Sequence, residues 1–172
     1  MFATKMTRPL ALAAALAAGL AATTAAEAKK APAALAAIER TGKPEAVIAS
    51  TALLPVGSKI LYISGTTPSP IDPAKPDEFG DTATQTQSIL SKMKTQLEGM
   101  GWSMGDIVKM NVFLVAALPG GRMDAAGMNG VFKTYFGTPE QPNKPTRSTV
   151  QVAALGRPTM LVEIEAIAAK AP

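Results

Sequence analysis

Histidine and cysteine are both absent from the 172 residues, and the two absences remove whole classes of chemistry. No Ser-His-Asp or Cys-His nucleophile arrangement can be built. No His or Cys metal site can form, and no disulfide. Aromatic residues are few, with one Trp, two Tyr and five Phe, so aliphatic side chains and Met must fill most of a core. Catalytic work falls to Arg, Lys, Asp, Glu, hydroxyls, amides, backbone groups and water. The length suits one domain rather than a large multidomain enzyme.

The charge surplus is mild: 17 basic against 13 acidic residues, net +4. The bases are scattered, with Lys29-Lys30 the one adjacent pair. A nucleic-acid binder carries a clustered basic face, so no nucleic-acid partner is expected. The start has two bases, Lys5 and Arg8, before an uncharged Ala- and Leu-rich stretch from Pro9 to Ala22. That stretch is too short to span a bilayer comfortably, and it leads to Ala26-Glu27-Ala28, a small-x-small cleavage pattern. Residues 1–28 therefore read as a signal peptide, with a cut after Ala26 or a retained Ala-rich helix or anchor as alternatives. Cleavage removes Lys5, Arg8 and Glu27, leaving 15 bases and 12 acids. The mature protein is expected in the periplasm or secreted, without a stable membrane anchor. Residues 29–46 read as a flexible tail with a short helix at Ala33–Glu39, and the folded domain as 47–172.

Within that domain, strands are expected at Val47–Leu54 and Lys59–Ser64, joined by the turn Pro55-Val56-Gly57-Ser58. A Pro-rich loop follows over 66–80. Asp81 is placed to cap a helix from Thr82 to Met100 whose apolar positions are Ile89, Met93, Leu97 and Met100. Ile107–Val115 reads as a strand, with Val108, Met110, Val112 and Leu114 on one face and Ile107, Lys109, Asn111, Phe113 and Val115 on the other. A second helix is expected over Met123–Phe136, then strands at Ser148–Val152 and Thr159–Ile167. The layer rule gives an α+β fold, a single mixed sheet with two helices on one face, in the order β-β-α-β-α-β-β. The opposite face carries Lys109, Asn111, Phe113, Glu163 and Glu165. Phe113 and Leu161 among polar neighbours point to cover by another subunit, of a dimer or a trimer.

From Lys59 to Ala168 the chain resembles the reactive-intermediate deaminase (YjgF) family. The resemblance rests on Ile63-Ser64-Gly65, on the Gln85-containing run after Asp81, on Gly105-Asp106-Ile107-Val108-Lys109 with Val112-Phe113, and on Met128-Asn129 with Tyr135-Phe136. Its strongest part is Pro145-Thr146-Arg147-Ser148-Thr149-Val150-Gln151-Val152-Ala153, followed by Val162-Glu163-Ile164-Glu165-Ala166-Ile167-Ala168. The family implies a fold like trimeric bacterial chorismate mutase and a homotrimer with ligand clefts between subunits. It implies hydrolysis of small enamine or imine carboxylates to 2-oxo acids and ammonia, with no cofactor and no metal. By the match, Arg147 clamps the substrate carboxylate, as a guanidinium fork suits, and Glu163 holds the attacking water. Gly65, Thr66, Asn129 and Thr149 fall at cleft positions, with Asn129 read as supporting the cleft. Glu165 shares the parity of Glu163, and the match leaves it structural or interfacial.

The chain also departs from the family pattern. Residues 47–54 lack the Tyr of the usual Gly-Pro-Tyr. Thr66 replaces a Gln, Thr149 stands where many members have Cys, and Ala116–Ala126 is longer and lacks the Asp-Phe pair. Two functions follow from these features: a cofactor-free imine or enamine hydrolase, or a non-catalytic small-carboxylate binding protein using the same cleft. A chaperone-like role would need a large exposed apolar patch. RNA cleavage, also ascribed to relatives, sits poorly with the missing His, the mild charge and the leader.

Overall fold

Val162, Ile164, Ala166 and Ala168 are buried, while Glu163, Glu165 and Ile167 between them are half-buried. This two-residue alternation on the last strand sets the core. A computed structural model describes residues 36–172; the expected leader lies outside the described residues. The elements are β1 (Glu39–Thr41), β2 (Thr51–Leu53), β3 (Lys59–Thr66), α1 (Thr82–Gly99), β4 (Ile107–Leu114), α2 (Ala125–Phe132), β5 (Thr146–Gln151) and β6 (Val162–Lys170). A short 3-10 turn, Met104–Asp106, leads into β4.

Four strands form a mixed sheet in the order β3-β6-β4-β5. β6 is antiparallel to both β3 and β4, and β5 runs parallel to β4. Such a parallel pair needs a crossover, and α2 lies in it. Ile89, Leu90, Met93 and Leu97 of α1, with Met128 and Phe132 of α2, pack on the buried side chains of β4 and β6. Both helices thus cover one face, as the α+β reading expected, while the other face holds Lys109, Asn111, Phe113, Glu163 and Glu165, each half-buried.

The Asp81 cap is present, its carboxylate accepting from Thr84 N at 2.8 Å. Gly101, at φ +74°, follows the helix. Met100 at the C-cap is exposed rather than part of the apolar stripe. Gln85 is fully buried, with its amide donating to Gly80 O and Thr159 O and accepting from Leu161 N. It ties α1 to the start of β6 and so works structurally.

Several expectations need correction. Residues 39–41 are strand, neither tail nor helix: β1 pairs antiparallel with β2 in a separate two-stranded sheet, and Arg40 Nη2 reaches Gly105 O at 3.1 Å. The fold therefore begins upstream of Val47, and the mixed sheet does not include β2. On β4 the register shifts between Ile107 and Lys109. A bulge of this kind flips side chains to the other face, and it turns Ile107 into the core beside Met110. α2 is shorter than Met123–Phe136, because Asp124 caps it by accepting from Gly127 N at 2.8 Å. β5 starts at Thr146 and β6 at Val162, since Arg157 and Met160 close a turn over 157–160.

Candidate functional site

Arg147 lies on the edge strand β5, opposite Met110 of β4, and its side chain turns to the helix-covered face. There its Nη2 donates to Asn129 Oδ1 at 2.7 Å, its Nη1 approaches Met128 Sδ at 3.5 Å, and its guanidinium carbon sits 4.4 Å above the Phe132 ring. Phe132 is itself stacked on Phe136, so the platform is rigid. Burial pushes the guanidinium below its ordinary value, yet an arginine stays charged at physiological pH. All of these contacts are neutral. A charge-assisted hydrogen bond contributes ~1.5–3 kcal/mol and a cation–π contact ~0.5–2 kcal/mol, enough to orient the head without neutralising it. Among the described residues Arg147 makes no salt bridge.

Two residues along the same face of β5, Thr149 has its Oγ1 buried with no hydrogen-bond partner among the described residues. A buried hydroxyl left unpaired costs about 1–3 kcal/mol, which a bound polar ligand would recover. Arg147, bonded to Asn129, thus shares its face of β5 with a buried hydroxyl that has no partner among the described residues. Asn129 Oδ1 is the one oxygen that accepts from the arginine head among the described residues.

Glu163 belongs to a second cluster. On β6 it pairs with Phe113 of β4 and faces the side of the sheet that carries no helix. Its carboxylate lies against Gly65, where a Cβ would overlap Glu163 Oε1 and stand 3.0 Å from its Cδ. Gly65 sits in a register shift of β3 between Ile63 and Thr66. The Thr66 hydroxyl donates to Ser64 O at 3.3 Å, closing that bend. Glycine is thus required here for close approach of the carboxylate to the main chain. Glu165, one pleat along, accepts from Asn111 Nδ2 at 2.7 Å and is committed to that bond.

The two clusters do not meet within one chain. β4 separates β5 from β6, and Arg147 and Glu163 point to opposite faces. The concavity on the open face, about 340 Å³, is lined by Tyr62, Ser64, Lys109, Asn111 and Glu165, among others, and by neither Arg147 nor Glu163. Sequence reasoning missed the Met128 and Phe132 platform, because an apolar stripe on a helix reads as core and both residues are core as well.

A four-stranded mixed sheet is backed by two helices, with an arginine that makes no salt bridge among the described residues at one edge and a glutamate near the other, which is an α+β fold. The family profile described as Endoribonuclease L-PSP matches residues 48–170, and the chain belongs to that family, which includes the reactive-intermediate deaminases. A RutC family protein of Pyrococcus horikoshii is 40% identical over 112 residues, covering 64% of this chain and 79% of that protein. The 2-iminobutanoate/2-iminopropanoate deaminase of Escherichia coli K12 is 34% identical over 101 residues, 59% of this chain and 73% of that protein. The crystal structure of E. coli TdcF with bound serine superposes with a TM-score of 0.52 at 31% identity, covering 77% of this chain and 98% of TdcF.

Proposed function

We propose that this protein hydrolyses small imine or enamine carboxylates to 2-oxo acids and ammonia, in a cleft built from two copies of the chain. The observation that carries this reading is the Arg147 guanidinium, held by an amide, a thioether and an aromatic ring with no carboxylate bonded to it. Such a group is a pre-oriented receptor for a carboxylate. The deaminase name of the E. coli relative and the serine bound to TdcF agree in substrate chemistry.

One chain offers the Arg147 cluster at its β5 edge and the Gly65–Glu163 cluster at its β3–β6 edge, facing opposite ways. A head-to-tail contact that repeats around a closed ring brings the first cluster of one copy to the second cluster of the next. A homotrimer closes such a ring. It also covers the exposed Ile60, Tyr62 and Val150, all on the open face by strand register.

In that cleft Arg147 fixes the substrate carboxylate, and the Thr149 hydroxyl bonds a polar atom beside it. Glu163 of the neighbouring copy orients a water toward the trigonal C=N carbon. The water oxygen bonds to carbon as its proton passes to Glu163. That proton goes to nitrogen, giving a carbinolamine; Glu163 then takes the remaining hydroxyl proton and passes it to nitrogen as the C–N bond breaks, so that ammonia leaves with a 2-oxo acid. An enamine reaches the same route after tautomerising to the imine. The chemistry calls for no metal and no organic cofactor. A periplasmic or secreted setting, reached through the leader, belongs to the same proposal.

The test is turnover. An imino acid generated in place by an amino-acid oxidase should lose its nitrogen faster with the purified protein, followed as 2-oxo acid formed in the presence of a trapping competitor. No acceleration across several imino acids contradicts the reading. A binding protein without turnover would use the same arginine; a ligand retained stoichiometrically and recovered unchanged would favour it.

Gly65→Ala gives a sharper check. The added methyl displaces the Glu163 carboxylate while the fold has no other reason to change. A displacement of an ångström or so in a catalytic group costs about 10²-fold. The expected result is a loss of that order in kcat with unchanged helix content and oligomer size.

A further inference from the structure

Away from both clusters, the turn after β1 and the loop before β5 enclose a concavity of about 190 Å³. Its walls include Arg40, Lys43 and Lys144, with Thr41 and Asn143 among them, and no acidic residue. Glu39 and Glu45 lie in the same stretch of chain but are exposed and outside the walls.

The polar groups are held in place by uncharged acceptors. Arg40 Nη2 donates to Gly105 O at 3.1 Å, and Asn143 Nδ2 to the same oxygen at 3.2 Å. Lys144 Nζ donates to Pro44 O and Ala46 O at 2.6 and 2.7 Å. Carbonyls satisfy hydrogen bonds but leave net charge in place. Arg40 Nε is buried with no acceptor among the described residues. Burial holds the Arg40 guanidinium below its ordinary value, and the field of Asp106, which is not part of the walls, offsets this in part. Lys43 is exposed and makes no salt bridge among the described residues.

Three positive charges thus border one small concavity without a carboxylate among them. A monocarboxylate would leave two of the three unbalanced. A dianion with several acceptor oxygens matches the charge, with the Lys43 and Lys144 ammoniums as point charges and Arg40, whose Nη2 stays on the carbonyls of Gly105 and Ile107, adding its field. We infer that this concavity is a second ligand site, distinct from the Arg147 cleft, and that it takes a phosphate-type dianion, either free or as part of a phosphorylated molecule.

Calorimetry at low salt on the purified full chain tests this, with inorganic phosphate, glycerol phosphate and acetate compared at equal ionic strength. Lys43→Gln removes an exposed charge that ties no part of the fold, and Arg147→Ala removes the other candidate anion receptor. The expected result is one saturable phosphate site per chain, weaker for acetate, weakened about fivefold in Lys43→Gln and unchanged in Arg147→Ala. Glycerol phosphate binding as tightly as phosphate identifies a phosphorylated molecule as the source, and phosphate alone identifies the free ion. Absence of saturation, equal affinity for acetate, an unchanged affinity in Lys43→Gln, or loss of phosphate binding in Arg147→Ala would overturn the assignment.

Discussion

Replacing Arg147 with alanine is expected to lower kcat/KM for imino-acid hydrolysis by about 10²–10³-fold. Truncating one partner of a buried, hydrogen-bonded charge pair costs about 2–5 kcal/mol, and every 1.4 kcal/mol is tenfold. In the proposed cleft the partner is the substrate carboxylate, so the loss is expected on KM as well as on kcat. Arg147→Lys keeps the charge but loses the planar fork and the fit over Phe132, so it should recover only part of the activity. The fold should tolerate both changes. Arg147 bonds only Asn129 and Met128 among the described side chains, and β5 keeps its backbone pairing with β4. Matched spectra and oligomer size, alongside the kinetics, separate this outcome from unfolding. Wild-type rates in Arg147→Ala would remove the arginine from the site.

Glu163→Gln is expected to act differently. The amide keeps the shape and still meets Gly65, but it cannot take a proton from water. General-base contributions are about 10²–10⁴-fold, so kcat should fall by that order while KM stays near its original value. Glu165→Gln is the matched control. It sits one pleat along the same strand face but bonds Asn111 Nδ2, so its effect should be small beside that of Glu163→Gln. Equal losses at both positions would mean that the effect is one of sheet electrostatics rather than of water activation. The split between a loss on both KM and kcat at Arg147 and a kcat-only loss at Glu163 is itself a signature of the two proposed roles.

Much of this architecture was readable from residue patterns. The four-residue spacing of Ile89, Met93 and Leu97 located α1, and alternation located the buried faces of β4 and β6. The order of elements also followed, because Pro and Gly clusters mark the breaks between them. What was not readable depended on pairing between distant segments. β1 has no strand character of its own and exists through its partner β2 and the Arg40 anchor. The bulge in β4 depends on register with β6, and a period-2 count along β4 alone put Ile107 on the wrong face.

The candidate site divides the same way. Arg147 and Glu163 stand out in sequence through their motif, and Gly65 through its chance of close approach. Their faces do not. Both numbers are odd, yet β5 and β6 lie in different registers against β4, and the two side chains emerge on opposite sides of the sheet. The division into two clusters is therefore a property of strand pairing that no single-strand pattern contains. Thr149 was expected at a cleft position through the motif, while its buried hydroxyl without a partner among the described residues depends on its surroundings and was not legible.

The most direct measurement mixes two inactive proteins. Arg147→Ala keeps Glu163, and Glu163→Gln keeps Arg147. If each cleft takes its arginine from one copy and its glutamate from the next, co-assembled oligomers of the two variants contain intact clefts. Random assembly at equal amounts leaves about a quarter of the clefts whole, so roughly that share of wild-type activity should return, although neither variant alone has it. Mixed oligomers verified by mass that stay inactive would contradict the shared cleft.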